Sequence, residues 1–390
     1  MFGATVLVPI LTGLSISVTL LCAGVGTLLF HFLAKGKVPA FLGSSFAFLG
    51  GFAVVAPMVD GMPNTEMLPY ACGGIVIAGL LYVVVAALIK VFGIKRVMRL
   101  FPPVVTGPII ILIGLILAPS AITNCQANWL LAVITMLLII EGMIKIIPIL
   151  IGIVGAYIIA LIVGWVDYSG LATAAAVGIP PFTIAKFSGS AILTMAPIAL
   201  ATMMEHVGDI SAISATCGRN FIANPGLHRT LLGDGLATSL AGLVGGPANT
   251  TYGENTGVLA LSKVYDPKVI QIAAVVAVIL SFSPWFDALV NTIPTAIIGG
   301  ASFVLYGMIS AIGVRNVVEN QVDLTKSRNL IIAAVILVSG LGFNSVGGIQ
   351  IGIVNLSGLA TAAILGILLN AILPGKDYEF QMEEPEDAKA

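Results

Sequence analysis

A polar stretch, Pro247-Ala-Asn-Thr-Thr-Tyr-Gly-Glu-Asn-Thr-Gly257, interrupts an apolar region and limits what the chain can build around it. It carries a carboxylate (Glu254), amides, hydroxyls and glycines, with apolar runs on both sides. The chain is 58% hydrophobic and only 9% charged, with a mean hydropathy of +1.09. Soluble proteins carry roughly 25% charged residues, so this composition is that of a polytopic membrane protein. Polar, irregular backbone at membrane depth is tolerated only where it is buried in protein or lines a cavity. An ionisable residue there marks a functional site by default. Glu254 is therefore assigned to a substrate or ion site near the bilayer midplane.

A helical span needs about 20 apolar residues. The apolar segments predict an all-α polytopic membrane protein with about 14 transmembrane segments. Two of them, the third (38–57) and the tenth (247–261), begin near a proline and are rich in Gly, Ser, Thr and aromatics. Both read as short extended pieces followed by a broken helix. They lie seven segments apart, and a repeat unit with an odd number of spans inverts its second copy. The expected architecture is thus two inverted seven-span repeats, in which paired broken segments point to the binding site. Lys and Arg cluster in alternate loops, and the positive-inside rule places those loops in the cytoplasm. The acidic tail, 376–390, is then cytoplasmic and disordered.

Several function classes drop out. The net charge is −1 and no basic patch is large enough for nucleic acid. The four cysteines are scattered without a CxxC pair, and the three histidines are too dispersed for a metal cluster. Intramembrane hydrolysis needs Ser–His, paired-Asp or HExxH geometry. Glu205-His206 lacks the second His, so no enzyme, metal or cofactor is expected.

Four carboxylates fall within or at the edge of apolar segments: Glu205, Asp209, Asp234 and Glu254. Each would cost roughly 2.5–3.5 kcal/mol at the bilayer centre if uncompensated. With no Lys or Arg in an apolar span, protonation is the natural compensation, because burial raises a carboxylic acid's pKa. Acids that load and release a proton are what a proton-coupled carrier requires. Glu205 and Asp209, four apart, share one helix face, and His206 points elsewhere. Asp234 has two readings, a proton-coupling acid or a polar contact between helices. Ser44, Ser45, Phe46, Tyr252 and Tyr306 read as packing residues or as walls of a pocket. Aromatic faces beside carboxylates and backbone amides suit a flat heterocycle with N–H donors and C=O acceptors.

In Pro39-Ala-Phe-Leu-Gly-Ser-Ser-Phe-Ala-Phe48, Glu205-His-Val-Gly208, Pro225-Gly-Leu-His-Arg229 and Asn249-Thr-Thr-Tyr-Gly-Glu-Asn-Thr-Gly257, the chain resembles the nucleobase–ascorbate transporter family, and most closely its bacterial uracil permeases. The resemblance extends through nearly the whole sequence. It implies fourteen spans in a core domain (1–100 and 189–285) and a gate domain (101–188 and 286–375), with the third and tenth spans forming short antiparallel strands. It also implies a proton-coupled nucleobase importer of the cell membrane, carrying uracil, with a homodimer through the gate domain. Lipid is its surround and a proton its coupling ion. Glu205 and Glu254 would hydrogen-bond the base, and the backbone amides of Phe46 and Gly253 would meet its carbonyls. Ala4, Tyr252 and Tyr306 would wall the pocket beside Ser45, with Glu205, Asp209 and Asp234 as proton-coupling acids. A xanthine or other purine carrier is the alternative, since acids at 209 and 234 are similar to those of xanthine-type members. The apolar start, Met1 to Leu11, offers only half a span and lacks the family's usual Gln-His pair, so a truncated, non-transporting form is a further alternative.

Overall fold

A computed structural model describes residues 2–58, 62–142, 148–352 and 354–375. The chain opens with α1 (Phe2–Thr12) and α2 (Ile16–Leu33). Strand β1 (Leu42–Ser44) follows, then a single 3-10 turn at 46–48 that runs into α3 (Leu49–Val55). Next come α4 (Leu68–Phe92), the short α5 (Ile94–Met98), α6 (Pro103–Cys125), α7 (Trp129–Gly142) and α8 (Pro148–Val163). The middle of the chain forms α9 (Gly189–Met195), α10 (Ile198–Cys217) and α11 (Leu227–Leu243). Strand β2 (Asn249–Thr251) leads into α12 (Glu254–Ser262). Then come α13 (Pro267–Ser281), α14 (Pro284–Asn291), α15 (Thr295–Glu319) and α16 (Ser327–Ser345). A hairpin of β3 (Ile349–Ile351) and β4 (Val354–Leu356) precedes α17 (Gly358–Ile372).

Helix starts follow local chemistry. Ser15, Ser188, Asp266, Ser283 and Ser357 cap their helices with side-chain oxygens, which satisfies first-turn N–H groups that have no intrahelical acceptor. Prolines stand in the first turn of α4, α6, α13 and α14, where a missing N–H costs nothing. Among the described residues, six helices are long and apolar enough to cross a membrane, or seven if the bent pair α13–α14 is one span. That pair turns by 91° at Phe282–Ser283. The amphipathic α14 then leads into the longer α15. The hairpin β3–β4 lies in a region read from the sequence as a simple loop.

Helix packing falls into two groups. In one, α11 packs on α4 and α2, α13 on α2, and α9 on α4. In the other, α6 packs on α15, α16 and α17, and α7 on α8 and α15. The groups meet where α10 contacts α6 and α17, where α1 contacts α15 and α8, and where β4 contacts α9. Small residues permit the closest crossings. A Cβ on Gly79 of α4 would lie 2.4 Å from the carbonyl oxygen of Gly235 on α11, and one on Gly235 would lie 2.4 Å from Tyr82 Cβ. Lipid offers no hydrophobic drive between helices, so such backbone approach carries their association.

The two broken segments meet. β1 and β2 pair antiparallel, with Leu42 opposite Thr251, Gly43 opposite Thr250 and Ser44 opposite Asn249. Both strands are buried throughout. Each ends in a half-helix, and because the strands run in opposite directions the two half-helices leave opposite ends of the ladder. The tail 376–390, expected to be disordered and cytoplasmic, lies outside the described residues, as do the side chains of Ala4 and Glu254.

Candidate functional site

The strand pair is held from both sides. On the α2 face, Thr27 bonds the backbone of Leu42 in both directions, its Oγ1 donating to the carbonyl (3.2 Å) and accepting from the amide (2.9 Å). Asn249 Nδ2 donates to the Cys22 carbonyl (3.0 Å), and Thr238 Oγ1 donates to the Asn249 carbonyl (2.8 Å). The Ser45 amide extends the ladder by donating to the Ala248 carbonyl at 2.8 Å. These bonds serve backbone groups that have no water to turn to inside a membrane.

Tyr252 joins the two broken segments directly. Its hydroxyl donates to the Ser44 carbonyl (3.0 Å), and Ser44 Oγ in turn donates to the Thr5 carbonyl on α1 (2.9 Å). The Tyr252 ring lies against Gly43, where an added Cβ would sit 2.4 Å from a ring carbon. Tyr252 therefore clamps the strands as well as lining the site. Phe46, at the start of the first half-helix, stacks edge-to-face on Tyr306 of α15, with ring centroids 5.7 Å apart and planes at 77°. This contact bridges the two helix groups, and both rings are buried.

Helix α10 brings the acids to the ladder. Asp209 is 2% exposed and Glu205, one turn earlier, is half-buried. Asp209 lies well inside α10 rather than at its solvent end. Thr251 Oγ1 donates to Asp209 Oδ2 at 3.1 Å, and a Cβ on Gly253 would fall 2.4 Å from Asp209 Oδ1. The carboxylate thus accepts from the end of β2, and a side chain at 253 would press on its other oxygen.

His206 was expected to point away from this face, and it does turn from Glu205. It is not remote from the acids, however. Its Nδ1 lies 2.9 Å from Asp234 Oδ2 on α11, with both side chains fully buried, and 3.3 Å from Thr251 Oγ1. Asp234 is therefore a contact between α10 and α11. A continuous polar row results, running from Asp234 through His206 and Thr251 to Asp209. Neither His206 nor Thr251 stood out in the sequence. Their signals were a histidine beside a buried acid and a hydroxyl in a stretch already marked as irregular.

Ser45 Oγ, Thr250 Oγ1, Asn255 Nδ2 and Thr256 Oγ1 are buried without a hydrogen-bond partner among the described residues. His206 Nε2, the Asp234 oxygens, Ser302 Oγ, the Tyr306 hydroxyl and Asn355 Oδ1 are likewise without a hydrogen-bond partner there. The four named first belong to the two broken segments. Buried polar atoms are otherwise paired as a rule, so their concentration here fits a site for a polar ligand or water. The contacts above bring Ser45, Phe46, Tyr252, Gly253 and Tyr306 into this region, and Glu205 stands one turn before Asp209 on α10. The backbone of Glu254 opens α12 immediately after Gly253.

The permease family profile (Xan_ur_permease) matches residues 1–349. The uracil permease of Bacillus caldolyticus is 42% identical over 96% of this chain and 90% of its own length. That of Bacillus subtilis (strain 168) is 41% identical with the same coverages. The putative pyrimidine permease RutG of Escherichia coli (strain K12) is 42% identical over 96% of this chain and 87% of its own length. Among solved structures, the transmembrane domain of a cyanobacterium bicarbonate transporter, BicA, superposes with a TM-score of 0.56 at 19% identity, covering 85% of this chain and 93% of that one. SLC26A9 superposes with a TM-score of 0.66 at 12% identity, covering 95% and 62%. These two likenesses concern the fold alone. A profile match along most of the chain, relatives above 40% identity over nearly all of it, and apolar helices joined by a buried strand pair lead to one conclusion: the chain is an integral membrane protein and belongs to the permease family.

Proposed function

We propose that the chain is a proton-coupled importer of a nucleobase, uracil, working by alternating access. One observation supports this most directly. A strand pair built from two broken segments sits against an acid-bearing helix, and its own polar side chains are left with unmet bonding capacity. The relatives named as uracil permeases give the substrate class. Glu205 and Glu254 bind the N–H groups of the base. The amides of Phe46 and Gly253 meet its carbonyls, and Tyr252, Ala4, Tyr306 and Ser45 complete the pocket.

The proton is carried by the acids of α10. Asp209 and Glu205 share a helix face, and the row through Thr251 and His206 joins Asp209 to Asp234. Neighbouring acids of this kind titrate together, so the proton belongs to the group rather than to one residue. Thr251 ties that row to the strand that binds the base, so a change of charge at Asp209 is felt at the site. In this reading the chain divides into a core (1–100 and 189–285) and a gate (101–188 and 286–375). Rocking of one on the other, about the Phe46–Tyr306 contact, would expose the site alternately. The same reading includes fourteen spans in two inverted seven-span repeats, a cytoplasmic C-terminus, and a homodimer through the gate.

The test is uptake of radiolabelled uracil into proteoliposomes, with and without an inward proton gradient. Gradient-driven uptake that excess uracil blocks and xanthine does not is the expected result. Uptake indifferent to the gradient removes proton coupling. A second reading, xanthine carriage, is favoured by the acids at 209 and 234. Glu254→Gln discriminates between the two: it should reduce uracil uptake at least tenfold without conferring xanthine uptake. Xanthine uptake by the unaltered chain would instead favour the second reading.

A further inference from the structure

Away from the strand pair, four parts of the chain line an open pocket of about 190 Å³. They are the start of α6, the 320–326 loop after α15, the first turn of α16 and the end of α17. Three cations line it, Arg99, Lys326 and Arg328, against one carboxylate, Asp323. Asp323 Oδ1 accepts from the Thr325 amide (2.9 Å) and hydroxyl (2.6 Å). Those two bonds, with Lys326 nearby, hold its carboxyl below the usual carboxylate range. It is ionised at neutral pH, and the lining keeps a net positive charge.

Arg328 is fixed in place by neutral acceptors. Its Nη2 donates to the Asn370 carbonyl (3.0 Å) and side-chain oxygen (2.7 Å), its Nη1 to Asn329 Oδ1 (3.3 Å) and its Nε to the Leu373 carbonyl (3.4 Å), so it acts chiefly as a fixed charge. Both asparagines are buried and anchored in turn. Asn370 Nδ2 donates to the Arg99 carbonyl (2.8 Å), and Asn329 Nδ2 donates to the Asp323 carbonyl (3.0 Å). No side chain caps the start of α16 at this point. Leu100, Leu324 and Leu330, one or two residues from the lining cations, are exposed. A pre-set guanidinium, two exposed cations and adjacent exposed leucines lie together at the end of the helices where apolar surface gives way to basic loops.

We propose that this pocket binds the phosphate of an anionic phospholipid headgroup, with the exposed Arg99 and Lys326 closing over the phosphate beside the fixed positive charge of Arg328, and the acyl chains lying along the exposed leucines. Arg99, exposed at the rim, carries a guanidinium whose paired N–H groups match phosphate oxygens, and basic segments next to a membrane attract anionic lipid. The proposal does not depend on which base the protein carries.

The test is native mass spectrometry of the purified chain titrated with dioctanoyl phosphatidylglycerol, with dioctanoyl phosphatidylcholine, and with inorganic phosphate. Saturable phosphatidylglycerol binding, at least tenfold tighter than phosphatidylcholine, is expected. Arg99→Gln combined with Lys326→Gln should weaken it tenfold or more, and Asp323→Asn should tighten it severalfold. Arg328→Gln should abolish it; should that variant fail to fold, the double variant, altered only at exposed side chains, still decides the matter. Equal affinity for the two lipids overturns the proposal, as does a double variant that binds like the parent. Inorganic phosphate bound as tightly as phosphatidylglycerol assigns the pocket to a soluble anion and overturns the lipid.

Discussion

Thr251 is a small residue with a large share of the connections at the site. Its hydroxyl donates to Asp209 and lies beside His206. Replacing it with valine keeps the shape but removes one hydrogen bond to the buried Asp209, a loss of about 1–3 kcal/mol. Thr251→Val should therefore cut the initial rate of uracil uptake by about one to two orders of magnitude, and Thr251→Ser should restore most of it. Uptake unchanged in the valine variant would separate the row of polar residues from transport. The acids of this row were legible as residue types: Glu205 and Asp209 share a face because they stand four apart. Their partners were not, because helical periodicity places a side chain on a face but does not say which neighbouring element will come to it. His206 belongs to α10 with the acids, yet its partner Asp234 is on α11.

At the scale of elements, the strand pair depends on close approach. Gly43 leaves room for the Tyr252 ring, and that ring's hydroxyl holds the Ser44 carbonyl. Gly43→Ala forces the ring away, an overpacking cost of typically 1–3 kcal/mol, and the lost Tyr252 bond adds to it. The expected outcome is a melting temperature lowered by several degrees. Because the two sites touch, Gly43→Ala with Tyr252→Ala should lose less than the sum of the single losses. Strict additivity would mean that the ring does not press on Gly43. Both broken segments could be read from their prolines, glycines and hydroxyls in an apolar chain. A break near Pro284–Asp287 could also be read, but not the 91° turn just before it, since a proline and an acid mark an interruption without giving its angle. Likewise, the short residue patterns of β3 and β4 are too brief to distinguish from loop.

For the whole molecule, a ligand that binds only the folded state stabilises it by mass action. Uracil at a hundredfold excess over its Kd should add about 2.7 kcal/mol. A rise of several degrees in melting temperature with uracil, absent with xanthine, is the expected result. A rise with xanthine alone would reverse the substrate assignment. Membrane character and family were legible throughout, because composition and motifs are distributed along the chain; a division into two groups of helices came only with the family resemblance, because it depends on contacts between distant segments. The β1–β2 ladder joins residues 42–44 to residues 249–251, so more than half of the chain must be synthesised before the second strand exists. Until then, the first broken segment waits in the membrane with backbone groups that its partner will later satisfy. A nascent chain halted before Asn249 would therefore present that unmet need to whatever assists insertion. The binding site, though central in the finished protein, is among the last parts of it that biosynthesis can complete.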